Sequence, residues 1–156
     1  MRVNIYDLRK NADCRVQLIK EKGINYNVEN KLDNPLKIVR MMCDVFSVHE
    51  KYEEHLWLIA FNATLRPIGI FEVSRGTIDA TMVINRDIFT RLCLCGAAGF
   101  VLIHNHPSLD CSPSKQDIET TKTVKQAADL MGYTFFDHLI IGDAENYYSF
   151  AENKQI

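Results

Sequence analysis

Apolar positions along the chain fall into two rhythms. "RVNIY" and "RVQLIKE" alternate apolar and polar residues, which predicts two strands joined as a hairpin around "RKNADC". "DNPLKIVRMMCDVF" has the helical period instead, with Leu36, Val39, Cys43 and Phe46 as its buried stripe. Asp33 or Asn34 caps this helix, and Pro35 sits where a first-turn N–H has no intrahelical partner. "HLWLIAFN" and "FVLIHNH" are nearly all apolar and too short for helices, so they predict central strands covered on both faces. "IGIFEVSRG" reads as a strand hairpin-joined to the first of these, and "TIDATMVI" as a short extended piece. "NRDIFTRLCLCGAAG" predicts a helix capped at Asn85, with Ile88, Leu92 and Cys95 along one side and Gly96 or Gly99 closing it. A further helix runs from about Ser114 to Met131, stopped by Gly132, with Ile118, Thr121, Val124, Ala128 and Met131 as its apolar side. "YTFFDHLIIG" and "YYSF" supply the last two strands. Strands alternating with helices predict a layered α/β domain with a mixed sheet.

Length and composition sharpen this picture. With 156 residues, 47% hydrophobic and 24% charged, one domain with a core of its own is expected over 1–156, and 1–32 reads as a short strand-like leader. No apolar run approaches the ~18 residues of a membrane span, and "MRVNIYDLRKNADC" lacks the apolar stretch of a signal peptide. The expectation is a cytoplasmic protein with no membrane partner. Eighteen basic against 20 acidic residues give a net charge of -2, which excludes a whole-molecule attraction to nucleic acid. Lys115, Lys122 and Lys125 cluster in sequence and read as a solvated helix face. The five cysteines are odd in number and lack a secretory context, so no disulfide is expected. Cys43 and Cys93 read as small apolar packing residues.

The candidate chemistry lies in "HNHPSLDCSPSKQD", residues 104–117. Residues two apart on a strand share a face, so His104 and His106 present their imidazoles together at the strand's C-terminal end. Open α/β sheets place their sites at that end. Pro107 ends the ladder, and the loop leads into the helix that begins near Ser114. Asp117 then lies in the first turn, able to reach back. Two neutral imidazoles and a carboxylate form a three-ligand Zn²⁺ set that leaves a fourth position for water. Such an ion lowers the pKa of its water to about 7. Ser114-x-x-Asp117 also fits a capping box, which needs no metal. Two strand-end imidazoles on an otherwise apolar strand decide for the metal, because burying them without partners is costly. Neither an HNH nuclease nor a zinc deaminase fits: the first disperses its named residues over a longer segment, and the second needs H-x-E with P-C-x-x-C.

The spacing His104-x-His106, seven residues, Ser114-x-x-Asp117 resembles the JAMM motif of the JAB/MPN metalloprotease superfamily. "HNHPS…PSKQDIETTKTVKQAADLMGYTFFDHLIIGD…YYSF" is similar in finer detail to the bacterial RadC family, from roughly Arg15 to the C-terminus. The resemblance implies a cytidine-deaminase-like α/β/α sandwich with a mixed central sheet. It implies one Zn²⁺ held by His104, His106 and Asp117, with Ser114 positioning or stabilising an oxyanion. It also implies a general acid/base glutamate just before the first long buried strand, which in "KYEEHLWLIAF" falls on Glu54. Glu53 faces the other way, and Glu72 stands off the family's register. Three departures are visible. Leu109 replaces the glycine of HNHPSG, Cys111 stands where a small or polar residue is usual, and the chain shows no helix-hairpin-helix pattern. Asp137-His138 matches the family's Asp-His pair, and His138 reads as a packed residue more readily than as a hydrogen-bonding neighbour of the site.

The function expected is hydrolysis of a peptide or isopeptide bond in a peptide or protein substrate by hydroxide on zinc. The alternative is a non-catalytic RadC-like scaffold in a DNA-repair or mobile-element system. Nucleic-acid binding and a homodimer are both left open by the sequence.

Overall fold

The computed structural model describes residues 1–26, 32–76 and 81–156. In chain order they form β1 (Arg2–Lys10), β2 (Val16–Asn25), α1 (Pro35–Phe46), a short 3-10 turn (Val48–Glu50), β3 (His55–Phe61), β4 (Pro67–Arg75), α2 (Thr81–Cys95), β5 (Gly99–Asn105), α3 (Lys115–Met131), β6 (Thr134–Ile141) and β7 (Tyr147–Ser149). Among the described residues the seven strands make one mixed sheet in the order β2-β1-β4-β3-β5-β6-β7. The pairs β1/β4 and β5/β6 are parallel, and the others are antiparallel.

The pleat sorts the core into two halves. Trp57, Ile59 and Phe61 of β3, with Val101 and Ile103 of β5 and Leu139 and Ile141 of β6, face α1. Leu58, Phe100 and Leu102 face α2 and α3, where they meet Ile88, Leu92, Val124 and Ala128. One helix on one face and two on the other give the α/β/α sandwich expected from the JAB/MPN likeness. Every residue of β3 and β5 is buried, as their unbroken apolar runs require. The N-terminal hairpin is hydrogen-bonded into the same sheet through β1.

Some local readings are corrected. The buried stripe of α1 runs through Ile38, Val39, Met41, Met42 and Cys43, with Leu36 and Phe46 only half-buried at its flanks. Residues 77–80 of the expected extended piece lie outside the described residues, while 81–84 already belong to α2. Asn85 therefore sits inside a helix and caps nothing, since packing of the following turns overrides the local cap signal. Gly96, at φ +64°, takes the left-handed conformation after α2, whereas Gly99 opens β5. Cys93 is exposed, its Sγ 3.3 Å from the Tyr133 hydroxyl. In α3 the buried face is Asp117, Thr120, Thr121, Val124 and Ala128, while Ile118 and Met131 are exposed. That face is polar in its first two turns because it covers the site described next.

Candidate metal centre

β5 carries His104 on its α3 face and ends at Asn105, so His106 begins the loop. Pro107 and Ser108 turn the chain, with the Leu109 N–H donating to the His106 carbonyl at 3.0 Å. Leu109 occupies the left-handed region at φ +63°. The loop thus has the backbone a glycine would favour, but holds it with a leucine that is half exposed. The chain returns to Ser114, the N-cap of α3. Asp117 closes a complete capping box: its N–H donates to Ser114 Oγ at 3.1 Å, and its Oδ2 accepts the Ser114 N–H at 2.8 Å. Ser114 Oγ also donates to Oδ2 at 2.6 Å.

Cap and candidate ligand are therefore one residue serving both purposes. While Oδ2 is engaged by Ser114, Oδ1 lies 3.3 Å from His104 Nε2. His104 Nε2 in turn stands 3.1 Å from His106 Nε2, and His106 Nε2 is 3.6 Å from Asp117 Oδ2. The three residues offer ligand atoms that all fall within 4.8 Å of one another. Tetrahedral zinc with bonds of ~2.0–2.1 Å separates neighbouring donors by about 3.3 Å, so this donor set fits such an ion in both chemistry and spacing.

Electrostatics agree with that fit. The His106 Nδ1–H donates to the Asp110 carbonyl at 2.6 Å, which directs its Nε2 toward the other two groups. The contact with Asp117 raises the pKa of His106, burial opposes the rise, and the Asp110 carbonyl and the charge of Glu54 add to it. His104 is completely buried, and burial lowers its pKa to about 4 against the pull of Asp117, so its ring is neutral near pH 7. Burial works against ionisation of Asp117, but the His106 contact and the Ser114 hydrogen bonds oppose it. The Asp117 carboxyl is held well below the usual range and is ionised. A neutral imidazole beside a carboxylate is the state in which both can ligate.

The three acidic candidates around the site have different surroundings. Glu53 pairs with Arg75 at 2.7 Å and accepts the Tyr52 hydroxyl at 3.0 Å. Glu72 of β4 contacts His55 Nδ1 of the neighbouring β3 at 2.5 Å. Glu54 is half-buried at the start of β3, and its charge acts on His106. Its backbone carbonyl accepts the Gly76 N–H at 2.8 Å.

One feature escaped the sequence reading and a second was weighed toward packing. Asn105, between the histidines, points to the opposite face. Its Oδ1 accepts the His55 N–H at 2.9 Å and its Nδ2 donates to the Glu53 carbonyl at 3.0 Å, so it clamps the backbone on either side of Glu54. A buried amide in an apolar strand was the signal, because it must find such partners. His138 is buried and stacked on Phe150 at a centroid distance of 5.1 Å. Contrary to the packed-only reading, its Nε2 also lies 2.9 Å from His104 Nδ1. Cys111 stays out of the cluster: it packs with Ile140 and Phe150, and its Sγ lies 3.3 Å from the Asn146 carbonyl.

A mixed-sheet α/β/α domain with two histidines and an aspartate gathered at the end of a central strand defines a JAB-type domain with a candidate metal centre. The chain belongs to the RadC family: the family model described as a RadC-like JAB domain matches residues 32–155. It is similar to a UPF0758 protein of Coprothermobacter proteolyticus, 39% identical over 104 residues, which are 67% of this chain and 44% of that protein. A UPF0758 protein of Desulforudis audaxviator is 40% identical over 90 residues, or 58% of this chain and 39% of its own length. One of Thermotoga maritima is 32% identical over 129 residues, or 83% and 56%. The chain thus spans about half the length of these relatives. No helix among the described residues is long and apolar enough to cross a membrane.

Proposed function

We propose that the protein is a zinc-dependent hydrolase of peptide or isopeptide bonds, with His104, His106 and Asp117 as the ligands of one ion. The observation that supports this reading is the convergence of two imidazoles and a carboxylate whose ligand atoms lie within 4.8 Å of one another, with the ring nitrogens aimed by their own hydrogen bonds. A divalent ion bound there would supply a water acidified to a pKa of about 7 and a Lewis acid for the scissile carbonyl. The chain's own residues do the rest. Glu54, at the mouth of β3, takes the proton from the attacking water and returns it to the leaving amine. Asn105 holds the backbone that carries Glu54. Ser114 holds the Asp117 carboxylate, and its hydroxyl reaches a developing oxyanion only by releasing Oδ2.

The test is a paired measurement of zinc content and cleavage of a degenerate peptide library read by mass spectrometry. Glu54→Gln is expected to keep stoichiometric zinc and to lose cleavage by 10²-fold or more, the scale of general acid–base catalysis. Unchanged cleavage by this variant removes Glu54 from the mechanism. A parent protein free of zinc after dialysis against it leaves a non-catalytic scaffold.

A further inference from the structure

Behind His104 a line of polar side chains runs through the core without reaching solvent. His104 Nδ1 lies 2.9 Å from His138 Nε2, and His138 Nδ1 lies 2.7 Å from Thr121 Oγ1. Thr121 Oγ1 lies 2.6 Å from the carbonyl oxygen of Asp117, one turn back along α3. All four residues are buried. The last link sets the direction of the others. A carbonyl oxygen only accepts, so the Thr121 hydroxyl donates to it and has no proton left for His138. His138 Nδ1 must then carry the hydrogen given to Thr121. The 2.9 Å between His138 Nε2 and His104 Nδ1 holds one hydrogen, and with the His138 hydrogen spent on Nδ1 it comes from His104 Nδ1–H. With its hydrogen on Nδ1, His104 presents a bare Nε2 to His106 and Asp117.

The opposite assignment is chemically complete but exchanges a short bond for a longer contact. It puts the proton on His104 Nε2, where Asp117 Oδ1 at 3.3 Å would accept it. It also turns the Thr121 hydroxyl to His138 and abandons the 2.6 Å contact with the Asp117 carbonyl. In that state His104 cannot ligate without a prior proton shift. The same donors therefore either build a metal site or close it with a proton, and Thr121 is the group that chooses.

We propose that Thr121 and His138 are positioning residues that fix the tautomer of His104, holding its Nε2 free of hydrogen so that it is preorganised as a metal ligand. This rests on the metal reading of the site, yet it concerns a property of the protein before any ion is bound. Because the relay begins on the backbone of Asp117, it also ties the tautomer of one ligand to the placement of another. Outer partners of this kind are worth 10–100-fold in metal affinity in other metal sites.

The experiment is long-range ¹⁵N–¹H correlation NMR of the histidine rings in the chelator-treated protein at neutral pH, followed by zinc titration against a competing chromophoric chelator. The expected spectrum has His104 and His138 both protonated on Nδ1. Thr121→Val is expected to lose that single-tautomer signature and bind zinc 10–100-fold more weakly, while Thr121→Ser restores both. His104 protonated on Nε2 in the parent overturns the proposal with no variant needed. So does a folded Thr121→Val protein with parental tautomers and parental affinity. A parent that shows both Nδ1 tautomers yet binds no zinc contradicts the metal reading instead, so the two failures are distinguishable.

Discussion

Leu109 is a residue where sequence and backbone disagree, at φ +63°. A left-handed φ costs a residue with a Cβ about 1–2 kcal/mol, and glycine's extra unfolded-state freedom recovers about 0.5–1 of that. Leu109→Gly should therefore stabilise the protein by about 0.5–1 kcal/mol in urea unfolding. A loss of stability would mean that the leucine side chain contributes more than its half-exposed position implies. His104 and His138 make a second prediction, about pH. Burial lowers both pKa values, to about 4 for His104 and well below 6.5 for His138. The unfolded chain thus binds protons that the folded one refuses. The contribution of these two rings is full above pH 6.5 and falls as pH drops from there toward 4, at a limiting slope of about 1.4 kcal/mol per pH unit for each histidine, while that of His106, whose pKa is raised, is present below pH 6.5 and lost as pH rises above it. Chelator-treated protein should show this loss in thermal unfolding, and a flat profile over that window would contradict neutral buried rings. Zinc should be released over the same range, since protons compete for the ligands.

At the level of elements, β5 and α3 make the site between them. The strand lends alternate side chains to its two faces: His104 toward the candidate ion, Asn105 toward the Glu53–His55 backbone. Asn105→Leu leaves the buried His55 N–H without its partner and should cost about 1–3 kcal/mol. It should keep zinc but slow hydrolysis, because Glu54 loses its clamp while the three ligands stay in place. Zinc content and cleavage measured on the same preparation check this, and a variant that loses zinc while keeping its fold would contradict the division of labour. The strands were legible because β3 and β5 are uninterrupted apolar runs, and α3 because Ser114 and Gly132 bracket it. The buried face of α3 was legible in part: Thr121, Val124 and Ala128 were read on it, whereas Ile118 and Met131 are exposed and Thr120 is buried in their stead. The partner of Thr121 was not legible, because His138 is distant in sequence. The start of α2 was misread because "TMVI" carries β-branched residues, which lower local helix preference.

For the whole molecule, the sheet explains why His138 lies against His104 and why Glu54 leads in beside the same strand end. β3 and β6 flank β5, and antiparallel β3 begins where parallel β6 ends, both beside the last residues of the histidine strand. The gathering of His104, His106 and Asp117 was readable from spacing, since His-x-His at a strand end and an aspartate in the next helix's first turn obey simple periodicities. The relay and the clamp were not, because they depend on which strands become neighbours. The central claim is that His104, His106 and Asp117 converge on a single divalent ion, and crystals grown with zinc and measured at the zinc absorption edge test it most directly. The account predicts one anomalous peak about 2.0–2.1 Å from His104 Nε2, His106 Nε2 and one Asp117 oxygen, with a fourth vertex facing solvent. No peak there, or an ion held by other residues, would contradict it.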